Sequence, residues 1–188
     1  MQYTQLFRER EKVWFERLKR YLPDITSKVL KIGNGFGNLS EMIREHYPET
    51  RILDISVFPD TVNRDHVELY DGVKIPYNDK EFETVILNLT LHHVHNSRAY
   101  FRNEILRVAK KRVILIEETY DNVFQKIHLV FRDWWMNKKA KQSCPIHWKS
   151  YFKRNEIQKF VEKFGCRIVY RETHKHHSYF KELIVVDL

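Results

Sequence analysis

The chain has 188 residues, 43% of them hydrophobic, which predicts one domain, residues 1–188, with a single buried core. Lysine and arginine (33) exceed aspartate and glutamate (25), and the resulting formal charge of +8 favours phosphates or anionic surfaces but equally fits a charge that serves solubility. No stretch approaches the roughly 20 apolar residues of a membrane span, and the N-terminus lacks the apolar run of a signal peptide. Cys144 and Cys166 are far apart and form no metal-binding or disulfide pattern. We therefore expect a soluble, cytoplasmic protein.

The first two thirds of the chain alternate between strand and helix patterns. An amphipathic helix is predicted from about Gln5 to Leu22, where Pro23 ends it, and residues 1–23 are expected to cover the sheet. A helix also follows strand one, and another is predicted from about Ser97 to Lys110. The predicted strands are about Lys28 to Ile32, Thr50 to Ser56, His66 to Tyr70, Thr84 to Thr90 and Arg112 to Glu118. Such alternation indicates parallel strands joined by crossover helices.

The last third of the chain has a different pattern. A helix rich in aromatic residues is predicted from about Asp121 to Asn137, and Asn155 with Gln158 is expected to cap another helix. Two final strands, about Arg167 to Thr173 and Tyr179 to Val186, are expected to pair as a hairpin. The loop between them carries three histidines, His174, His176 and His177. The whole pattern predicts a Rossmann-like α/β/α fold whose seven-stranded, mostly parallel sheet has an antiparallel C-terminal hairpin.

A glycine-rich turn follows the first predicted strand. Gly33, Gly35 and Gly37 alternate within Ile32-Gly33-Asn34-Gly35-Phe36-Gly37. Glycines let the backbone bend sharply and approach a ligand, and the free N–H groups of the next helix favour anionic or polar atoms. A dinucleotide-binding fingerprint would need its third glycine at position 38, which is Asn38 here. The spacing therefore does not fit a dinucleotide, and by itself a turn of this kind is as readily a tight turn without a ligand.

A second block of residues completes the pattern. Asp54 follows Gly33 by 21 residues, where a carboxylate can accept both hydroxyls of a ribose held at the turn. The segment 70–94 reads YDGVKIPYNDKEFETVILNLTLHHV. Together with the glycine turn, it resembles the class I S-adenosylmethionine (SAM) dependent methyltransferases of small molecules, including the quinone-biosynthesis type. The resemblance covers about residues 28–165.

The resemblance implies SAM as cofactor and S-adenosylhomocysteine as product. It implies that Gly33, Asn34 and Gly35 lie against the methionine part of SAM and that Asp54 holds the ribose. It also implies that Ile55, Asp71 and Gly72 lie beside the adenine, and that Asn88 faces the methionine part and the reaction centre.

Two departures from the family pattern bear on activity. The family places Asp or Glu two residues before the first glycine, where it helps to bind the SAM ammonium group, but this chain has Lys31. A lysine there repels that cation unless its flexible stem turns away into water, where the effect is about 1 kcal/mol. Strands two and three are also separated by only about ten residues, so the usual crossover helix is expected to shrink to a turn.

Methyl transfer needs a general base only when the acceptor holds its proton tightly. His92 and His93, beyond strand four, are the candidates for that role, although histidines at strand ends are often structural. His95 extends them to H-H-x-H, which has neither the i, i+4 spacing of a helical zinc pair nor a nearby cysteine, so no metal is predicted.

The segment between strand five and the last helix, residues 119–152, is expected to select the acceptor. Its aromatic residues could form an apolar acceptor pocket or belong to the core; they are Phe124, Phe131, Trp134, Trp135 and Trp148. The lysines at 138, 139 and 141 could instead contact RNA phosphates. The leading hypothesis is methylation of a small molecule. RNA methylation and a catalytically silent binding protein are the alternatives, and the oligomeric state stays open.

Overall fold

The computed structural model describes residues 2–22, 24–94, 98–139 and 146–188, with the backbone alone for residues 2–7. His95, Lys141 and Cys144 therefore lie outside the described residues. Within the described ranges, no helix has the length and apolar character needed to cross a membrane.

The described strands form one mixed sheet. Its order is β3-β2-β1-β4-β5-β8-β7, with the two-residue β6 paired to β5 beside that path. All pairs are parallel except β5 with β8 and β8 with β7. This confirms the predicted fold class, although the count of seven strands missed β6. The strands are β1 (Val29–Ile32), β2 (Thr50–Asp54), β3 (Val67–Leu69), β4 (Phe82–Asn88), β5 (Ala109–Tyr120), β6 (Phe152–Lys153), β7 (Arg167–His176) and β8 (Tyr179–Asp187).

Helices cover both faces of the sheet. The apolar side chains of α3 and α5, such as Phe101 and Ile157, join one core cluster, and those of α1 and α2, such as Phe15 and Ile43, join another. The central strands are buried on both sides, as expected of parallel strands. The helices are α1 (Gln2–Leu18), α2 (Asn38–His46), α3 (Arg98–Val108), α4 (Val123–Lys139) and α5 (Arg154–Glu162).

Strand register brings the predicted site residues to one edge of the sheet. Ile32 at the end of β1 pairs with Leu53 in β2 and with Leu87 in β4. The next residue in each case is Gly33, Asp54 or Asn88. Because these strands are parallel, their carboxyl ends meet at the same edge, which is where ligands bind in open α/β sheets.

Two local features of the connections bear on the predictions. Between β2 and β3 the chain forms only a 3₁₀ turn, Arg64–His66, as the short spacing predicted. The predicted cap of α5 at Asn155 and Gln158 is wrong, because the helix begins earlier and the Glu156 carboxylate accepts the Lys153 N–H at 2.8 Å.

The predicted histidine loop is also wrong. β7 continues through His174 to His176, so only residues 177 and 178 separate it from β8. His174 and His176 are half-buried strand residues, paired with Lys181 and Tyr179 of β8.

Candidate cofactor and acceptor site

The glycine turn adopts a backbone that other residues rarely take. Gly33 has φ +78°, and a side chain there would begin 2.2 Å from the Thr90 hydroxyl oxygen, so β1 and the end of β4 approach too closely for a Cβ. Gly35 has φ +56°, and no heavy atom of the described chain lies within 4 Å of where its Cβ would be. The turn therefore presents bare backbone to open space at Gly35.

Asp54 turns its carboxylate toward this turn. Its Oδ2 accepts the Asn34 N–H at 2.5 Å, and its Oδ1 accepts the Ile55 N–H at 2.7 Å. Each carboxylate oxygen has a further lone pair available for a ligand hydroxyl. The structure thus brings Asp54 and the glycine turn together as the spacing predicted.

Buried amide groups near the turn have no hydrogen-bond partner within the described chain. They include Oδ1 and Nδ2 of Asn34 and Oδ1 of Asn88. Orphaned buried polar atoms are rare in native proteins and call for a specific reason, such as a ligand. Both residues were predicted to meet the methionine part of SAM, whose amino and carboxylate groups can satisfy such atoms. The chemistry of these side chains therefore fits the cofactor.

The β2 side of the site presents an apolar surface. Ile55 is about half exposed, and a Cβ at Gly72, whose φ is +75°, would lie 3.0 Å from its Cγ2. Asp71 instead uses its Oδ1 to accept the N–H groups of Val73 and Lys74 at 2.8 and 3.1 Å, which closes the turn after β3. Ile55 and Gly72 are thus adjacent, and Asp71 shapes the backbone beside them.

Lys31 does not turn away into water, so the condition under which its charge would matter little is not met. Its side chain is 1% exposed, and its ammonium group donates a hydrogen bond to the Gly33 carbonyl. Burial lowers the pKa of Lys31 to about 8, although the carboxylates of Glu11 and Asp54 oppose this shift. A buried cation therefore lies at the glycine turn itself.

Glu11 supplies a carboxylate that sequence reasoning missed. Extending from α1, it accepts the Leu39 N–H at 2.6 Å in the first turn of α2, and burial raises its pKa despite the nearby charges of Lys181 and Lys31. The available signal was its spacing, because Glu11 precedes the buried Phe15 and Leu18 by four and seven residues, on the apolar face of α1. An acidic residue on such a face usually has a partner.

His92 lies in a 3₁₀ turn, Leu91–His93, that follows β4. It is 5% exposed, and its Nδ1 is 2.6 Å from Oε1 of Glu117 on β5. Burial by itself would lower the pKa of His92, but the Glu117 carboxylate raises it to about 9. His92 is thus protonated at neutral pH and cannot accept a proton there.

Asp133 on α4 is the second site residue that sequence reasoning missed. Its Oδ2 lies 3.8 Å from Nε2 of His92 and accepts a hydrogen bond from the Tyr151 hydroxyl. His93 is also close, and burial together with the charge on His92 lowers its pKa to about 2. Of the two predicted histidines, only His93 is neutral at pH 7.

The five aromatic residues singled out in the 119–152 segment are exposed, whereas Tyr120, Tyr151 and Phe152 of the same segment are buried. Of the residues of α4, only Leu129 is buried. Phe131 packs against Trp134 and Trp135, with ring centroids 5.7 and 6.3 Å apart, while both tryptophans stay more than 40% exposed. The Lys138 ammonium lies 5.1 Å from the ring of Trp134. The interpretation of these residues as core is wrong, and α4 instead presents an apolar surface bordered by lysines.

Comparison with protein families gives a match over most of the chain. The family model described as a methyltransferase domain matches residues 6–171. No curated protein matches the chain by sequence.

Several solved structures share the fold. Magnesium protoporphyrin IX methyltransferase from Synechocystis, with bound S-adenosylhomocysteine, is 14% identical with a TM-score of 0.63 and covers 96% of this chain and 83% of its own. Geranyl diphosphate C-methyltransferase from Streptomyces coelicolor, in complex with Mg²⁺, its substrate and S-adenosylhomocysteine, is 13% identical with a TM-score of 0.65, over 94% and 80% of the two chains. A Haloferax volcanii methyltransferase bound to the Trm112 activator is 13% identical with a TM-score of 0.66, over 97% and 94%.

Proposed function

The chain belongs to the class I SAM-dependent methyltransferases, and from that premise we propose that it methylates a small molecule with an apolar or aromatic part. The single observation that carries the choice of acceptor is the set of exposed aromatic side chains on α4, the helix whose Asp133 lies 3.8 Å from His92 beyond β4. Aromatic side chains bind apolar ligands without a large loss of side-chain entropy. The quinone-biosynthesis subtype remains a prediction.

We further propose how the chain holds its cofactor. Asp54 accepts the ribose hydroxyls, Ile55 and Gly72 lie against the adenine with Asp71 fixing the turn between them, and the backbone of Gly33 and Gly35 lies against the methionine part. The orphaned amides of Asn34 and Asn88 support this assignment. SAM supplies a methyl group on a sulfonium that is already a good leaving group, so the chain needs chiefly to orient the acceptor and exclude water.

Where the acceptor loses a proton, His93 is the group that can take it. Its ring is neutral at pH 7, whereas His92 is held protonated by Glu117. The low basicity of His93 limits this role to acceptors that acidify strongly during transfer, such as phenols. We therefore propose that positioning contributes more than base catalysis.

Direct measurement of cofactor binding tests the proposal. Isothermal titration should show binding of SAM and of S-adenosylhomocysteine to the full chain. Asp54→Asn should weaken both at least tenfold, because it removes charge from a group that accepts hydrogen bonds. The exposed Asp60→Asn is the matched control and should change nothing. No binding of either compound to the wild-type protein would overturn the proposal.

RNA methylation is the second candidate, because lysines lie over exposed tryptophan rings on α4, and such surfaces can stack bases while contacting phosphates. Binding of RNA should then weaken steeply with salt, whereas an apolar acceptor should bind almost independently of salt. A silent binding protein is favoured instead if Lys31 prevents the cofactor from binding.

A further inference from the structure

Two imidazoles and a carboxylate converge beyond the ends of β4 and β5. His92, His93 and Asp133 each offer one ligand atom, and these atoms all lie within 4.8 Å of one another. Within this group, Nε2 of His92 and Oδ2 of Asp133 are 3.8 Å apart. Bonds of about 2.0–2.1 Å at tetrahedral angles would place such atoms about 3.3 Å apart, so a modest side-chain movement would close the site around an ion.

The surroundings of these side chains resemble the outer shell of a metal site. Nδ1 of His92 faces Glu117, which also accepts the N–H groups of Leu91 and Glu118 at 2.9 and 3.0 Å and is thereby fixed. Histidine ligands almost always donate their second ring N–H to a carboxylate or carbonyl in this way. Asp133 in turn accepts the Tyr151 hydroxyl. The ring of His92 and the carboxylate of Asp133 are thus both oriented before any ion binds.

The backbone leading into this turn adopts an uncommon conformation. Leu89, between β4 and the 3₁₀ turn, has φ +54°, and its N–H donates to the Ile116 carbonyl at 2.8 Å. Bulky residues adopt this conformation only where the surroundings hold them in it, and such positions cluster at functional sites. Here the conformation sets the direction in which the chain enters Leu91–His93.

We propose that His92, His93 and Asp133 bind a divalent first-row transition ion, such as Zn²⁺, at the acceptor end of the site. Two imidazoles and one carboxylate suit such ions, whereas Mg²⁺ prefers oxygen ligands alone. Three protein ligands leave an open position that an acceptor oxygen can fill. Binding exchanges the proton on Nε2 of His92, which is released to solvent, for the ion, while the hydrogen bond from Nδ1 to Glu117 stays in place. With the ion bound, His93 is a ligand, and the role of base proposed for it above applies to the metal-free protein alone.

Sequence spacing did not indicate this site, because one of its three ligands is distant along the chain. H-H-x-H has no metal-binding spacing by itself, and Asp133 lies about 40 residues further on. The ordinary alternative is an ion pair in which protonated His92 lies between Glu117 and Asp133 with no metal. In the metal site Nε2 of His92 binds the ion, whereas in the ion pair it carries a proton. A measurement of bound metal therefore distinguishes the two arrangements.

Metal binding can be measured without reference to methyl transfer. The full chain without a histidine tag is stripped with a chelator and dialysed against Zn²⁺ or Co²⁺, and bound metal is counted by mass spectrometry, with visible absorption of Co²⁺ as a second readout. We expect one ion per chain. His93→Ala and Asp133→Asn should weaken binding more than tenfold, and Glu117→Gln, which alters only the outer shell, by about 10–100-fold.

His177→Ala is the matched control, because His177 is exposed in the turn between β7 and β8. It should bind the ion as the wild type does, and circular dichroism should show that every variant is folded. The proposal is overturned if the wild type retains no ion, or if His93→Ala and Asp133→Asn both bind as tightly as His177→Ala. SAM titration of the stripped protein is a separate measurement, so failure of the metal site does not count against the proposed function.

Discussion

Replacing Lys31 by methionine is the most direct test of how charge at the glycine turn affects this protein. Burial lowers the pKa of Lys31 from 10.5 to about 8, which corresponds to about 3 kcal/mol of unfavourable free energy for the charged form below pH 8. Methionine has a similar length and no charge. Since the variant also leaves the Gly33 carbonyl without its donor, which costs about 1 kcal/mol, we expect a net stabilisation of about 2 kcal/mol at pH 7.

The free energy of unfolding should depend on pH differently in the wild type and in Lys31→Met. The pKa of Lys31 is lower in the folded than in the unfolded chain, so the unfolded chain binds more protons between about pH 8 and 10.5. The wild-type free energy of unfolding should therefore gain about 3 kcal/mol from this group as pH rises through that window. Lys31→Met should lack that gain, so its advantage at pH 7 should disappear and reverse by about pH 10.

The same variant should bind SAM more tightly. The family uses an acidic residue where this chain has Lys31, and two like charges 4 Å apart at an effective dielectric constant of 20 repel by about 4 kcal/mol. Even a third of that energy corresponds to about a tenfold change in affinity. Methionine is a better replacement than aspartate for this test, because the carboxylates of Glu11 and Asp54 already lie near Lys31 and an aspartate would add a third negative charge.

Urea unfolding at pH 7, 9 and 10 and isothermal titration with SAM measure both effects. Lys19→Met, at an exposed position after α1, is the control and should change neither quantity by more than a few tenths of a kcal/mol. The reasoning would be refuted if Lys31→Met had the same pH profile and SAM affinity as the wild type. Undetectable SAM binding in both proteins, together with a stable protein partner in pull-downs, would favour the silent binding protein instead.

Three further substitutions test particular contacts. Gly35→Ala should destabilise the fold by about 1 kcal/mol in urea titrations, because φ +56° strains a residue with a side chain although the space is open; an unchanged midpoint would mean that the turn relaxes. Arg171→Ala should cost about 3–5 kcal/mol, because Glu182 is fully buried and loses its ion pair, and a loss below 1 kcal/mol would contradict this. Trp135→Ser should leave stability within about 1 kcal/mol but raise KM for an apolar acceptor; an unchanged KM would place the acceptor elsewhere.

Most of the fold could be predicted from the sequence because its signals are local and repeated. Buried parallel strands are continuous apolar runs, and the crossover helices carry apolar stripes, so β1, β4 and α3 were placed to within a few residues. The two-residue β6 was missed because a pair of residues has no periodicity. The length of β7 was missed because His174 and His176 resemble loop residues, although pairing with β8 keeps them in the strand.

The glycine turn and Asp54 could also be predicted, since both are local patterns at strand ends. Glu11 and Asp133 could not, because each reaches the site across tertiary contacts between elements far apart in the chain. The direction of the Lys31 side chain could not be predicted for a related reason. A flexible lysine side chain can often reach water. Because β1 is central and covered on both faces, the Lys31 ammonium instead donates to the nearby Gly33 carbonyl.

The position of Glu11 gives α1 a role beyond covering the sheet. Glu11 and Lys31 have opposite charges, lie close enough to affect each other's pKa, and occupy α1 and β1 respectively. The family's acidic group on β1 is absent from this chain. The Glu11 carboxylate is nevertheless present at the same turn, where it accepts a hydrogen bond from the first turn of α2. Glu11→Gln should therefore weaken SAM binding in the Lys31→Met background, where Glu11 is the remaining carboxylate beside Asp54. If that double variant bound SAM as Lys31→Met does, Glu11 would serve only to hold α1 against α2.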